Sequence, residues 1–132
     1  MNIRKSGARA RKTSRTGGVD YGVVRELALA LPDVEDSSTL RGIAFKARGK
    51  LLACKAVHRS AESETLMVRV ATIDRDRLIA AEPKIYYLTP HYLLHSSVLV
   101  RLKFINRKAL QSLFGMAWQH VTCGTRGNKS AT

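Results

Sequence analysis

Between residues 24 and 31 apolar side chains recur at helical spacing: Val24, Leu27, Ala28 and Leu31 stand at i, i+3, i+4 and i+7. Asp20 precedes the stripe as a helix N-cap and Pro32 closes it. From Thr39 the period changes to two. Phe45 and Ala47 alternate with Lys46 and Arg48; Leu52, Cys54 and Ala56 alternate around Lys55; Leu66, Val68 and Val70 alternate with Met67 and Arg69. Arg48-Gly49-Lys50 is a tight-turn signal, and a polar loop over 58–64 precedes the last of these runs. The pattern predicts an antiparallel meander with one face on the core and the other in solvent.

A short helix follows over about 74–81, with Leu78 and Ile79 apolar and Pro83 just beyond. Residues 85–89 are β-prone, and Pro90 breaks that run. Val98, Val100, Leu102 and Phe104 then alternate with Leu99, Arg101 and Lys103, a further strand that places Phe104 on the core side. Asn106 caps a last helix whose apolar stripe is Leu110, Leu113, Phe114, Ala117 and Val121. The order α-β-β-β-β-α-β-β-α predicts an α+β fold, an antiparallel sheet with its helices packed on one face. There is no internal repeat.

The ends of the chain read differently. Residues 1–18 hold Arg4, Lys5, Arg9, Arg11, Lys12 and Arg15, no acid, and after the initiator one aliphatic side chain larger than alanine, Ile3. Such a segment cannot bury enough apolar surface to offset its ordering entropy, and it lacks the apolar stretch of a secretory signal. The expected organisation is a disordered basic arm over 1–19, one domain over 20–121 and a flexible tail over 122–132. The longest apolar run, 27–31, is far short of the ~20 residues that span a bilayer, so no membrane segment is expected. Two cysteines, Cys54 and Cys123, make no disulfide framework and fit a reducing, cytoplasmic setting.

Charge then changes the picture. The chain carries a net +13, of which only +5 lies in residues 19–123. Excess positive charge favours polyanions. If the aliphatic residues of each strand face the helices, the charges pointing away are Lys46, Arg48, Lys55, Arg69, Arg101 and Lys103, all basic. Like charges on neighbouring strands repel, and a polyanion relieves that repulsion. Leu51, Thr65, Met67 and Leu99 fall on the same expected face.

The stretch from the first helix onward resembles the MmcQ/YjbR-like family of small bacterial proteins. Val24-Arg25-Glu26-Leu27-Ala28-Leu29-Ala30-Leu31-Pro32-Asp33-Val34-Glu35 is similar to that family's opening helix and its exit. Ala44-Phe45-Lys46-Ala47-Arg48-Gly49-Lys50-Leu51 resembles its first hairpin and Leu78-Ile79-Ala80-Ala81-Glu82-Pro83 its middle helix. Thr89-Pro90-His91-Tyr92, then Val98-Leu99-Val100-Arg101-Leu102, resemble its signature, and Ala117-Trp118 its closing helix. Ser96 and Ser97 depart from the pattern, because the family carries a Pro and often an aromatic there. The resemblance covers about 20–121. It implies an α+β fold with an antiparallel sheet, similar to frataxin-like and secretion-chaperone-like proteins, and a DNA-binding role.

Other chemistry is sparse. His91 and His95 are four apart, but Pro90 argues against one helical face, and His120-x-x-Cys123 has no matching second pair, so no metal site is expected. No glycine-rich phosphate loop and no nucleophile–base pair is evident, so neither a cofactor nor catalytic residues are expected. His91 and Tyr92, beside Pro90, are the most site-like spot: a histidine and an aromatic on a loop can stack on a base or meet phosphate. The expected function is a weakly sequence-selective DNA-binding module, not an enzyme, using Lys46, Arg48, Lys55, Arg69, Arg101 and Lys103, with His91 and Tyr92 second. The alternative is a protein-interaction module in which exposed Leu51, Met67 and Leu99 contact a protein partner.

Overall fold

A computed structural model describes residues 18–93 and 96–124, the side chains of 123 and 124 excepted. The Asp20 carboxylate accepts the Val23 N–H and starts helix α1, Tyr21–Leu29, which buries Val24, Leu27 and Ala28. Leu31 lies past the helix end and still packs on the core. Six strands follow in antiparallel pairs: β1 Val34–Asp36, β2 Ala44–Ala47, β3 Lys50–Lys55, β4 Thr65–Arg69, β5 Tyr86–Tyr87 and β6 Ser97–Arg101. Their spatial order is β1-β2-β3-β4-β6-β5. Helix α2, Thr72–Ala81, joins β4 to β5, and helix α3, Arg107–Gln119, closes the chain. The fold is therefore α+β with the expected element order. The first strand precedes Thr39, where strand periodicity was expected to begin.

Asn106 caps α3 by accepting the Ala109 N–H. Leu110, Leu113, Phe114 and Ala117 are buried along one stripe of α3, and Val121 continues it into a π-turn over His120–Gly124. Residues 122–124, expected in a tail, thus extend the helix, while 1–17 and 125–132 lie outside the described residues. Helices α1 and α3 touch each other and cover one sheet face, where Phe45, Ala47, Leu66, Val68, Val98 and Val100 are fully buried. Each such side chain contributes about 1.5–3 kcal/mol when removed from water, Ala47 less. Helix α2 contacts β5 and β6 and has no fully buried residue; Leu78 and Ile79 are half-buried against the core.

Two features depart from simple alternation. First, β3 carries a bulge. Phe45 pairs with Ala53 but Lys46 pairs with Leu51, so Leu52 is an extra residue. Beyond it the faces exchange: Ala53 joins the main core, Cys54 moves to the outer face opposite Met67, and Lys55 shares the helix-covered face with its partner Leu66. Second, the outer face is covered over β4 and β6, while Lys46 of β2 and Glu35 of β1 stay exposed. Ala56, Met67, Tyr92 and Leu99 form a second buried cluster, with Leu51, Cys54, Tyr87 and Leu88 around it. The segment carrying the 3-10 turn Pro90–Tyr92 and the 58–64 loop fold over this face: Tyr92 Oη accepts the His58 N–H at 3.3 Å, and Tyr87 Oη accepts the Glu62 N–H at 2.8 Å. Central strands β4 and β6 are consequently buried on both sides. Leu99 is fully buried and Met67 7% exposed, so neither is the exposed contact expected of a protein-docking face.

Candidate nucleic-acid interface

The structure does not bring the six expected bases together. Lys46, Arg69 and Arg101 do share the outer face, as their registers with Leu51, Ser97 and Thr65 show. Arg48 sits instead in the two-residue β2–β3 turn, where both it and Gly49 are left-handed at φ 53° and 81°. That primed turn suits the twist of a hairpin but strains a non-glycine residue. Arg48 is held there by Asp33, whose backbone carbonyl accepts the Arg48 N–H at 3.2 Å and whose carboxylate accepts Nε at 3.0 Å; its guanidinium faces the Trp118 ring of α3 at 5.5 Å. Lys55 is turned to the other face by the bulge. Lys103 lies beyond the end of β6, in a turn.

Nor is the outer face free of acid. Glu35 of β1 is directly opposite Lys46, and Glu62 lies over Arg101. Arg101 donates to both Glu62 oxygens at 2.9 Å and to the Pro83 and Lys84 carbonyls at 3.1 and 3.0 Å, with the Tyr87 ring 4.1 Å from its guanidinium carbon. This fork–fork pair holds the Glu62 carboxyl below the usual carboxylate range. Arg69 Nε donates to the Ser96 carbonyl at 3.0 Å. Arg101 is therefore a clip joining the 58–64 loop, the α2–β5 loop and β5, its guanidinium paired with partners of the same chain.

His91 and Tyr92 are also internal partners. The His91 ring stacks on His58 with centroids 3.5 Å apart and planes 8° from parallel, and Tyr92 meets both edgewise. His58 Nδ1 accepts the Ser60 N–H at 3.0 Å and is 2.8 Å from Ser60 Oγ, which is 2.8 Å from Thr89 Oγ1. Nδ1 must be unprotonated to accept. Lost hydration, then the His91 and Arg59 charges, push the His58 pKa down. Burial, then Arg69, pushes His120 down as well, against an opposing contribution from Asp74. An unfolded chain therefore takes up these protons first, near the ordinary pKa of ~6.5. The stability gained from neutral His58 and His120 is complete above that pH and is lost as pH falls from it towards the depressed folded-state values. Thermal melts between pH 8 and 5 should show Tm falling below about pH 6.5, with a shallower fall in His58→Gln. A Tm that is flat across this range would contradict the lowered pKa of His58 and His120.

What sequence reasoning missed is a corner at the other end of β6. Strand β6 stops at Arg101, and the Phe104 N–H closes a turn onto the Arg101 carbonyl at 3.0 Å. Phe104 is thereby turned out of the core and 41% exposed, while Leu102 and Ile105 on either side are fully buried. Two ammonium groups lie over its ring, Lys84 Nζ at 5.7 Å and Lys103 Nζ at 5.8 Å from the centroid. Arg101 places Lys84 there by holding its carbonyl. The chain from the basic N-terminal segment arrives at the same corner. The Val19 N–H donates to the Leu102 carbonyl at 2.9 Å, and Gly18 at φ 67° passes so close that a Cβ would lie 3.0 Å from the Lys103 carbonyl oxygen. The sequence carries no signal for this corner: the Asn106 cap is itself extended and is compatible with a strand that runs up to it.

Elsewhere, the half-buried Cys54 thiol has its pKa raised by burial, the wrong direction for a nucleophile. Among the described residues no group of three or more His, Cys, Asp or Glu side chains could hold a metal ion, and no helix is long and apolar enough to cross a membrane.

No protein-family model and no curated protein matches the sequence. Among solved structures, the fold is similar to the crystal structure of Deinococcus radiodurans protein DR2400, which carries a DUF419 domain. The TM-score is 0.60 over 76% of this chain and 76% of that chain, at 18% identity. DUF419 is the MmcQ/YjbR-like family, so the fold agrees with the resemblance read from the sequence motifs.

Proposed function

We propose that this protein binds nucleic acid, DNA in the first place, through the cationic corner of Lys84, Phe104 and Lys103 continued by the basic N-terminal segment, rather than through the outer sheet face. The observation that carries this reading is the contact of Gly18 and Val19 with residues 102–103. Arg15 stands three positions before Gly18, so no more than about 11 Å of chain separates their Cα atoms. Arg15 is thereby kept within reach of the two lysines of the folded domain, and five further basic residues precede it in the sequence. Glu62 also comes near Lys103, but its charge is balanced by Arg101. The interface is built of Lys, Arg and one aromatic with no base-reading element, so the affinity is electrostatic and weakly sequence-selective. The DNA-binding role implied by the MmcQ/YjbR resemblance supports the same class.

A salt titration of duplex DNA binding tests this. Each phosphate contact removed should lower the log–log salt slope by about 0.9, so Lys84→Ala/Lys103→Ala should lose nearly 2 in slope and on the order of tenfold in affinity near 0.1 M salt. The same double change at Lys46 and Arg69 should cost clearly less. Equal losses from both pairs, or none from Lys84 and Lys103, would place the interface elsewhere.

A further inference from the structure

We infer that the exposed Phe104 ring is a stacking platform for an unpaired base, which gives the protein a preference for single-stranded over duplex nucleic acid. The inference rests on the nucleic-acid reading above and adds the class of strand. An aromatic face accepts a base only when the base is free of its own stack, and a duplex hides every base face. Phe104 meets the requirements of such a platform. It is 41% exposed, yet its backbone is fixed between fully buried Leu102 and Ile105, next to the Asn106 cap of α3. Little further ordering is needed when a base docks.

Two ammonium groups supply the second requirement, the charge. Lys84 and Lys103 each hold an ammonium over the ring, within 6 Å of its centre, on exposed flexible side chains that can swing onto the phosphates of a nucleotide whose base takes their place. They come from different segments, the α2–β5 loop and the turn after β6, so only the fold brings both charges to the ring. An exposed phenyl ring among cations suits a ligand with alternating apolar faces and negative charge, and single-stranded nucleic acid has that alternation. A neutral apolar partner would leave both ammonium groups to be desolvated without compensation.

The test is fluorescence anisotropy with labelled oligo-dT and a duplex of equal length and label, at one fixed low salt concentration. Full-length protein, Phe104→Leu, Phe104→Trp and Lys84→Ala/Lys103→Ala are compared. Phe104→Leu keeps bulk and removes the π-face. It should weaken oligo-dT binding about tenfold and change duplex binding less than about twofold. Phe104→Trp should match or exceed the parent on oligo-dT. Equal effects of Phe104→Leu on both strands, or none on either, overturn the platform. If the lysine variant is still weakened, the charge-based reading stands without it. A parent protein that binds neither strand at low salt overturns both. Thermal melts of each variant confirm that Phe104, being exposed, is replaced without loss of fold.

Discussion

Arg101→Glu is expected to lower the unfolding free energy by about 2–3 kcal/mol, a fall in Tm of roughly 10–20 °C for a domain of this size. The side chain is 20% exposed and makes four hydrogen bonds: two to Glu62 and one each to the carbonyls of Pro83 and Lys84. Reversal sets a carboxylate beside Glu62 and against two carbonyl oxygens, and abandons the Tyr87 ring. The 58–64 loop then loses its tie to β6, and with it part of the cover over Met67 and Leu99. Arg101→Lys separates this account from a phosphate-contact role. It keeps the charge but not the planar fork, so it should recover less than half of the lost stability. If Arg101 were instead a nucleic-acid contact on an open sheet face, Arg101→Lys would bind almost as well as the parent and Arg101→Glu would melt normally. Chemical denaturation with parallel binding measurements decides between these patterns.

Removing residues 1–17 should reduce duplex affinity on the order of a hundredfold near 0.1 M salt and cut the salt slope by several units, because six basic residues go with no acid. Val19 keeps its hydrogen bond to Leu102 in the shortened chain, and the core is untouched, so Tm should hold or rise slightly as self-repulsion falls. The residual slope is the informative quantity. A slope near 2 remaining, then abolished by Lys84→Ala/Lys103→Ala, would show that arm and corner act as one surface. Complete loss of salt-dependent binding on truncation would mean that the folded domain contributes no phosphate contact of its own, and an unchanged slope would remove the arm from the interface.

The candidate site was only partly legible in the sequence. Lys103 was named there as a base on a sheet face and Phe104 as a core-side strand residue; Lys84 was not named. The reason is local. Lys103 and Phe104 continue the alternation of residues 98–102, and nothing in that pattern reports that the strand ends at Arg101. The bulge at Leu52 is equally silent, since Leu51, Leu52, Ala53 and Cys54 are all apolar and accept either register. One inserted residue exchanges the faces of everything beyond it, which is why Lys55 and Cys54 changed sides. The pairing of Arg101 with Glu62 spans 39 residues and has no spacing signature.

What the sequence determined by itself is the set of features made by near neighbours. Asp20 and Asn106 cap α1 and α3, the 3.6-residue stripes choose the buried faces of these helices, and two-residue alternation gives most strands and their order. These follow from backbone geometry and from burial of one face, both local properties. Only the tertiary structure decided that the outer sheet face is roofed over β4 and β6, that Arg101 is paired within the protein, and that the entering N-terminal chain meets Leu102 and Lys103, next to Phe104. Charge pairing and exposure depend on what lies across space, so a basic residue read in sequence becomes a contact or a clip only once its neighbours are in place.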